Sequence, residues 1–153
     1  MENYEIEKKW LVKDLPDLNS YPCHHITQAY LCTDPVIRIR RSDEEYYMTY
    51  KGKGLMMREE YNLPLNAEAY EHMLEKADGN IIDKKRYMIP YGPYTIELDV
   101  FTSPITDIIA EVEFPNIEEA ESFVPPEWFG KEVTGDPYYY NSNMSKMQKK
   151  IGD

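Results

Sequence analysis

Glu5-Ile6-Glu7-Lys8-Lys9-Trp10, near the start of the chain, alternates charged side chains with apolar or long amphipathic ones. In an extended strand, residues two apart share a face. Glu5, Glu7 and Lys9 therefore point one way, and Ile6, Lys8 and Trp10 the other. The pattern recurs downstream. Arg38 and Arg40 alternate with Ile37 and Ile39, Lys84 pairs with Arg86, Glu97 with Asp99, and Glu111 with Glu113 against Ala110, Val112 and Phe114. Arg58 with Glu60, and Lys51 alone, complete a set in which one face is charged in strand after strand.

Working outward, eight segments read as strands: Tyr4 to Val12, Ile26 to Leu31, Val36 to Ser42, Tyr46 to Lys51, Met57 to Leu63, Ile81 to Ile89, Tyr94 to Phe101 and Ile108 to Phe114. Turn signals such as Thr33-Asp34-Pro35, Gly52-Lys53-Gly54 and Pro90-Tyr91-Gly92-Pro93 separate them and leave most neighbours close enough for hairpins. A helix is predicted from the N-cap Asn66 to Ala77, with Gly79 as its stop and Tyr70, Met73, Leu74 and Ala77 as an apolar stripe. A second, short helix follows Asn116, which pairs with Glu119 in a capping-box-like arrangement, and Pro125-Pro126 ends it. The last helix runs from about Ser142 to Ile151, with Met144, Met147 and Ile151 on one side.

An antiparallel sheet with one wet face also alternates. Three details favour an enclosed face instead. Same-sign doublets two residues apart repel one another unless something lies between them. The doublets come in both signs, and arginine, whose planar fork suits bidentate phosphate contacts, stands among the cations. Eight strands also suffice to close a barrel with a narrow interior. The expected fold is therefore α+β: a closed eight-stranded antiparallel β-barrel with a few flanking helices, its charged face inward.

Composition sets the bounds. A chain of 153 residues has the size of one domain, so residues 1–153 read as a single unit. No apolar run approaches the roughly 20 residues of a spanning helix, and the charged start has no signal-peptide core, which points to the cytoplasm. A formal charge of −11 discourages docking on nucleic acid or anionic membrane. Cys23, His24, His25 and Cys32 do not match zinc-ligand spacing. Enclosed charges need water, ions or ligand around them. Carboxylates without histidine or cysteine favour hard cations, and cations beside them hold phosphoryl oxygens, which together are the parts phosphoryl transfer needs.

The ordered series Glu5-Ile6-Glu7-Lys8-Lys9-Trp10, Gln28-Ala29-Tyr30-Leu31, Ile37-Arg38-Ile39-Arg40, Tyr50-Lys51-Gly52, Arg58-Glu59-Glu60-Tyr61, Asp83-Lys84-Lys85-Arg86-Tyr87, Ile96-Glu97-Leu98-Asp99, Ala110-Glu111-Val112-Glu113 and Gly130-Lys131-Glu132-Val133-Thr134 resembles the CYTH superfamily of triphosphate tunnel metalloenzymes. The resemblance covers nearly the whole chain and comes nearest to short bacterial inorganic triphosphatases. It implies a tunnel that binds a small-molecule triphosphate with Mg²⁺ or Mn²⁺. By matched position, Glu5, Glu7, Glu97, Asp99, Glu111 and Glu113 are the implied metal ligands. Lys9, Arg38, Arg40, Lys51, Arg58, Glu60, Lys84 and Arg86 are the implied substrate contacts. Tyr30 and Lys9 are the implied catalytic pair, Tyr30 as proton acceptor. A phenol titrates near pH 10 in water, so metal-activated water is an equal candidate source of the nucleophile. Asn62 departs from the pattern, standing where relatives often repeat a glutamate.

Hydrolysis of tripolyphosphate, with nucleoside triphosphates as further substrates, is the leading expectation. A class IV adenylate cyclase or a thiamine triphosphatase would use the same tunnel. A noncatalytic polyphosphate binder is the alternative from another class, and a homodimer is compatible with the sequence.

Overall fold

The computed structural model describes residues 4–147. Nine strands follow one another among them: β1 (Tyr4–Val12), β2 (Cys23–Thr33), β3 (Val36–Ser42), β4 (Glu45–Lys51), β5 (Met57–Leu65), β6 (Asp78–Tyr91), β7 (Tyr94–Ser103), β8 (Ile108–Glu113) and β9 (Phe129–Glu132). The helices are α1 (Ala67–Leu74), α2 (Ile117–Ser122) and α3 (Asn141–Met144), the last preceded by a 3-10 turn over Pro137–Tyr139. Hydrogen bonding runs in the order β5-β4-β3-β2-β6-β7-β8-β1, and β1 returns to β5. The eight strands thus close into the expected antiparallel barrel. Closure rests on the pairs Tyr4 with Glu59, Glu5 with Arg58 and Ile6 with Met57.

Strand β1 runs on past the end of β5, which leaves its upper edge without that partner. Strand β9 takes this edge, pairing Trp10 with Glu132 and Val12 with Phe129. It adds a ninth strand to the eight read from sequence.

Three apolar clusters form. Ile6, Trp10, Leu98, Val112, Phe114 and Ala120 belong to one, on the outer wall where α2 packs against β1. Ala29, Ile39 and Tyr70 form another, where α1 covers β3 and β4. The third is made of Tyr30, Val36, Ile82, Phe101, Ile105, Ile109 and Met144. By strand alternation, Val36, Ile82, Phe101 and Ile109 lie on the same inward face as Arg38, Lys84, Asp99 and Glu111. The interior is therefore charged along part of its length and apolar at one end, where Met144 of α3 joins the packing.

Helix α1 ends at Leu74, short of Ala77, and Gly79 is not its stop. Gly79 is the second residue of β6, which begins at Asp78. Its φ of +77° and its approach to the Ser145 carbonyl, 2.0 Å from where a Cβ would stand, leave room only for glycine. Asn116 caps α2 as expected by accepting from the Glu119 amide at 2.8 Å, and the helix stops at Ser122, ahead of Pro125-Pro126. Helix α3 covers Asn141–Met144. Its predicted continuation to Ile151 lies outside the described residues. Among those residues, no helix is long and apolar enough to cross a membrane.

Candidate active site

The barrel encloses a cavity of about 450 Å³. Every site residue read from the sequence lines it except Asp99, so that seven cations meet six carboxylates. Alternation alone accounts for this: β1 sends in Glu5, Glu7 and Lys9, β3 sends in Arg38 and Arg40, and β8 sends in Glu111 and Glu113.

The cations fall into two groups by partner. Lys51 donates to Glu5 at 2.8 Å and stands 3.6 Å from Glu60. Lys84, only 1% exposed, meets Asp99 at 2.8 Å. Arg86 grips Asp99 with two hydrogen bonds, at 2.7 and 2.9 Å, and lies 3.4 Å from Glu97 and 3.5 Å from Glu111. Lys9 donates to the Tyr139 carbonyl at 3.0 Å and is 3.8 Å from Glu111. The other three arginines have neutral partners. Arg38 donates to Thr49 Oγ1 at 2.9 Å, Arg40 to Gln28 Oε1 at 2.7 Å, and Arg58 to the Gly52 carbonyl at 3.0 Å. None of the three has a carboxylate within ion-pair distance among the described residues.

Electrostatics follow the same division. Burial, then the neighbouring Arg40, pushes the Arg38 guanidinium below its ordinary value. Burial lowers Lys84 to about 7, against the pull of Asp99. Burial alone would lower Arg86 too, but Asp99 and Glu97 overcome it and hold its charge well above the ordinary value.

Among the acids, carboxylate oxygens of Glu7, Glu97 and Glu111 lie within 4.8 Å of one another. Burial and the charges of Glu111 and Glu5 push Glu7 well up, and burial also raises Glu97. Burial would raise Glu111 as well, but Lys9, Arg86 and Lys84 hold it well below the usual carboxylate range. Glu113, at the exposed rim, is raised to about 7 by burial and by Glu5, Glu97 and Glu60. The crowded carboxylates of Glu7, Glu97 and Glu111 form an all-oxygen donor set that fits a hard divalent cation. Asp99 sits apart from them. It is fully buried, and Arg86 and Lys84 hold it below the usual range although burial acts the other way.

Several contributors escaped the sequence reading. Gln28, fully buried, donates to the Tyr30 hydroxyl and to Asn141 Oδ1, both at 3.2 Å, while accepting from Arg40. Asn141 Oδ1 also accepts from Lys84 at 3.1 Å. Asn62 accepts from Thr49 at 2.6 Å and so steadies the hydroxyl that holds Arg38. Thr134, Tyr140 and Ser142 reach the cavity from the segment after β9. Gln28 shares the inward parity of Tyr30 and was readable from spacing; the C-terminal residues carry no periodic signal. His24 and His25 lie away from the cavity, in exposed pairs with Asp43 and Asp83.

A CYTH domain profile matches residues 3–147. The chain belongs to the CYTH family. The inorganic triphosphatase of Nitrosomonas europaea is 37% identical over 149 residues, spanning 92% of this chain and 96% of that protein. The inorganic triphosphatase of Acetivibrio thermocellus is 35% identical over 150 residues, spanning 93% of each. A crystal structure of an inorganic triphosphatase superposes on this CYTH barrel with a TM-score of 0.70 at 33% identity, covering 94% of this chain and 95% of that one. A protein structure from Pyrococcus horikoshii OT3 shares the fold at 20% identity, with a TM-score of 0.59 over 82% of this chain and 94% of that one.

Proposed function

We propose that this CYTH chain hydrolyses inorganic tripolyphosphate, with nucleoside triphosphates as slower substrates, using Mg²⁺ or Mn²⁺ inside the barrel. One observation carries the reading: Arg38, Arg40 and Arg58 converge on one cavity with neutral partners only, beside three carboxylates crowded within 4.8 Å of one another. A buried charge without a counter-charge is costly, so the site is complementary to an oxyanion chain accompanied by divalent cations. The activity named for the Nitrosomonas and Acetivibrio relatives supports the same substrate class.

The residues divide the work. Arg38, Arg40 and Arg58 grip phosphoryl oxygens, with Lys9, Lys51, Lys84 and Arg86 adding positive charge along the chain and Glu60 holding Lys51 in place. Glu7, Glu97 and Glu111 would hold the metal, with Glu5 and Glu113 flanking. Asp99 acts as the counter-ion of Lys84 and Arg86 rather than as a ligand. Mg²⁺ or Mn²⁺, when held there, would supply positive charge to the phosphoryl oxygens. Tyr30 accepts from Gln28 and keeps its own proton to give. As the water oxygen bonds to phosphorus and the anhydride oxygen departs, the Tyr30 oxygen receives the water proton and passes its own to the leaving phosphate, with Lys9 balancing the charge. We place this single-domain enzyme in the cytoplasm, acting on a small molecule without nucleic acid or membrane.

The test is phosphate release from tripolyphosphate, pyrophosphate, ATP and thiamine triphosphate, with Mg²⁺ or Mn²⁺ and with chelator. Tripolyphosphate should be hydrolysed fastest, and chelation should abolish turnover. Formation of cyclic AMP from ATP without tripolyphosphate hydrolysis would make the protein a cyclase. Binding without turnover under every metal condition would make it a carrier.

A further inference from the structure

Two buried side-chain polar atoms lack a hydrogen-bond partner among the described residues: Arg38 Nε and the Tyr140 hydroxyl. Both residues line the same cavity. Buried polar groups are ordinarily hydrogen-bonded, so two orphaned donors on residues lining one cavity call for an acceptor that the protein itself does not supply. The surroundings set its charge. The Tyr140 ring lies 5.7 Å from the Lys9 ammonium and 5.9 Å from the Arg58 guanidinium. An acceptor reaching this hydroxyl therefore enters a cationic pocket, where an anionic oxygen is favoured over a neutral one.

Tyr140 is also held where it stands. On one side of it, the Val133 amide donates to the Lys9 carbonyl at 2.8 Å and Thr134 Oγ1 accepts from the Lys9 amide at 2.9 Å. On the other, the Asn80 amide donates to the Ser145 carbonyl at 2.7 Å, the Asn80 side chain donates to the Met144 carbonyl at 3.0 Å, and Met144 is fully buried in the interior cluster. Next to Tyr140 in the chain, Asn141 is tied to Lys84 and Gln28. The hydroxyl is thus positioned before any ligand arrives, which spares binding the entropy of ordering it.

We propose that the Tyr140 hydroxyl is a substrate-contacting donor, hydrogen-bonded to a phosphoryl oxygen of the bound triphosphate, and that the segment after β9 supplies part of the binding site. The inference rests on the triphosphatase reading and deepens it.

Tyr140→Phe removes the hydroxyl and keeps the ring between Lys9 and Arg58. The variant should raise KM for tripolyphosphate about tenfold, the worth of one hydrogen bond to a charged acceptor, with kcat nearly unchanged. Its ligand-free Tm should equal or exceed that of the wild type, because no buried hydroxyl is left unpaired. The rise in Tm produced by tripolyphosphate without metal should shrink. A variant with wild-type KM and wild-type ligand stabilisation would overturn the inference, as would a lower ligand-free Tm with KM unchanged, which marks a structural hydroxyl. A wild-type protein that neither hydrolyses tripolyphosphate nor is stabilised by it would overturn the triphosphatase reading, and this inference with it.

Discussion

Replacing Asp99 with asparagine removes one charge and almost no volume. In the wild type, this carboxylate is fully buried and neutralises both the Lys84 ammonium at 2.8 Å and the Arg86 guanidinium at 2.7 and 2.9 Å. Removing one member of a buried ion pair costs about 3–5 kcal/mol because its partner stays buried without compensation. Two features put Asp99→Asn near the lower end. Arg86 keeps Glu97 and Glu111 nearby, and Lys84, already brought down to about 7, can shed its proton. A loss of about 3 kcal/mol lowers Tm by roughly 6–12 °C in a domain of this size. Thermal melts of the ligand-free protein measure the stability. The metal concentration needed for half-maximal turnover, measured below the melting range, tests the role and should stay within about twofold of wild type. A large rise in metal requirement with Tm unchanged would refute the assignment of Asp99 as counter-ion and make it a metal ligand.

Glu111→Gln should show the converse kinetic pattern, raising the Mg²⁺ or Mn²⁺ requirement at least tenfold with a modest change in tripolyphosphate KM at saturating metal; a metal titration of turnover decides it. On the outer wall, burial raises Asp83, but hydrogen bonds from Thr102 and His25 prevail and leave its folded pKa below 3.8. A depressed carboxylate stabilises the fold fully above its unfolded pKa of about 3.9 and loses that contribution as pH falls through the folded value. The Tm gap between wild type and Asp83→Asn should therefore be full near pH 5 and close as pH drops toward 3. Asn66→Ala removes the cap that accepts the Ala69 amide at 2.7 Å and should lower Tm by roughly 2–4 °C, matching a cap worth about 1 kcal/mol, with KM unaffected.

The barrel was legible because strand periodicity is a local property. Glu5-Ile6-Glu7 or Arg38-Ile39-Arg40 fixes which side chains share a face, and closing the sheet turns that face inward. Height along the barrel axis is another matter. It depends on the stagger between strands, which no single strand encodes, so Asp99 and Glu111 read as equivalent although one lies between Lys84 and Arg86 and the other beside Glu7 and Glu97. Strand β9 was missed for a related reason. Phe129-Gly130-Lys131-Glu132 is too short to alternate convincingly, and it is extended because β1 offers an edge that β5 leaves uncovered. Gly79 misled in the opposite direction. It reads as a helix stop in sequence, whereas its role is to admit the Ser145 carbonyl from a segment 66 positions further on.

The overall charge of −11 and the proposed polyanionic substrate are reconciled by where the charges lie. The cavity lining carries seven cations against six carboxylates, and the buried Asp99 behind it makes seven, so the enclosed charges balance formally within a strongly negative chain. At physiological salt the exterior field is screened over about 8 Å, while groups inside the barrel act at contact distance. Metal and triphosphate are therefore expected to reinforce one another, because opposite charges brought together in one enclosed cavity attract at contact distance.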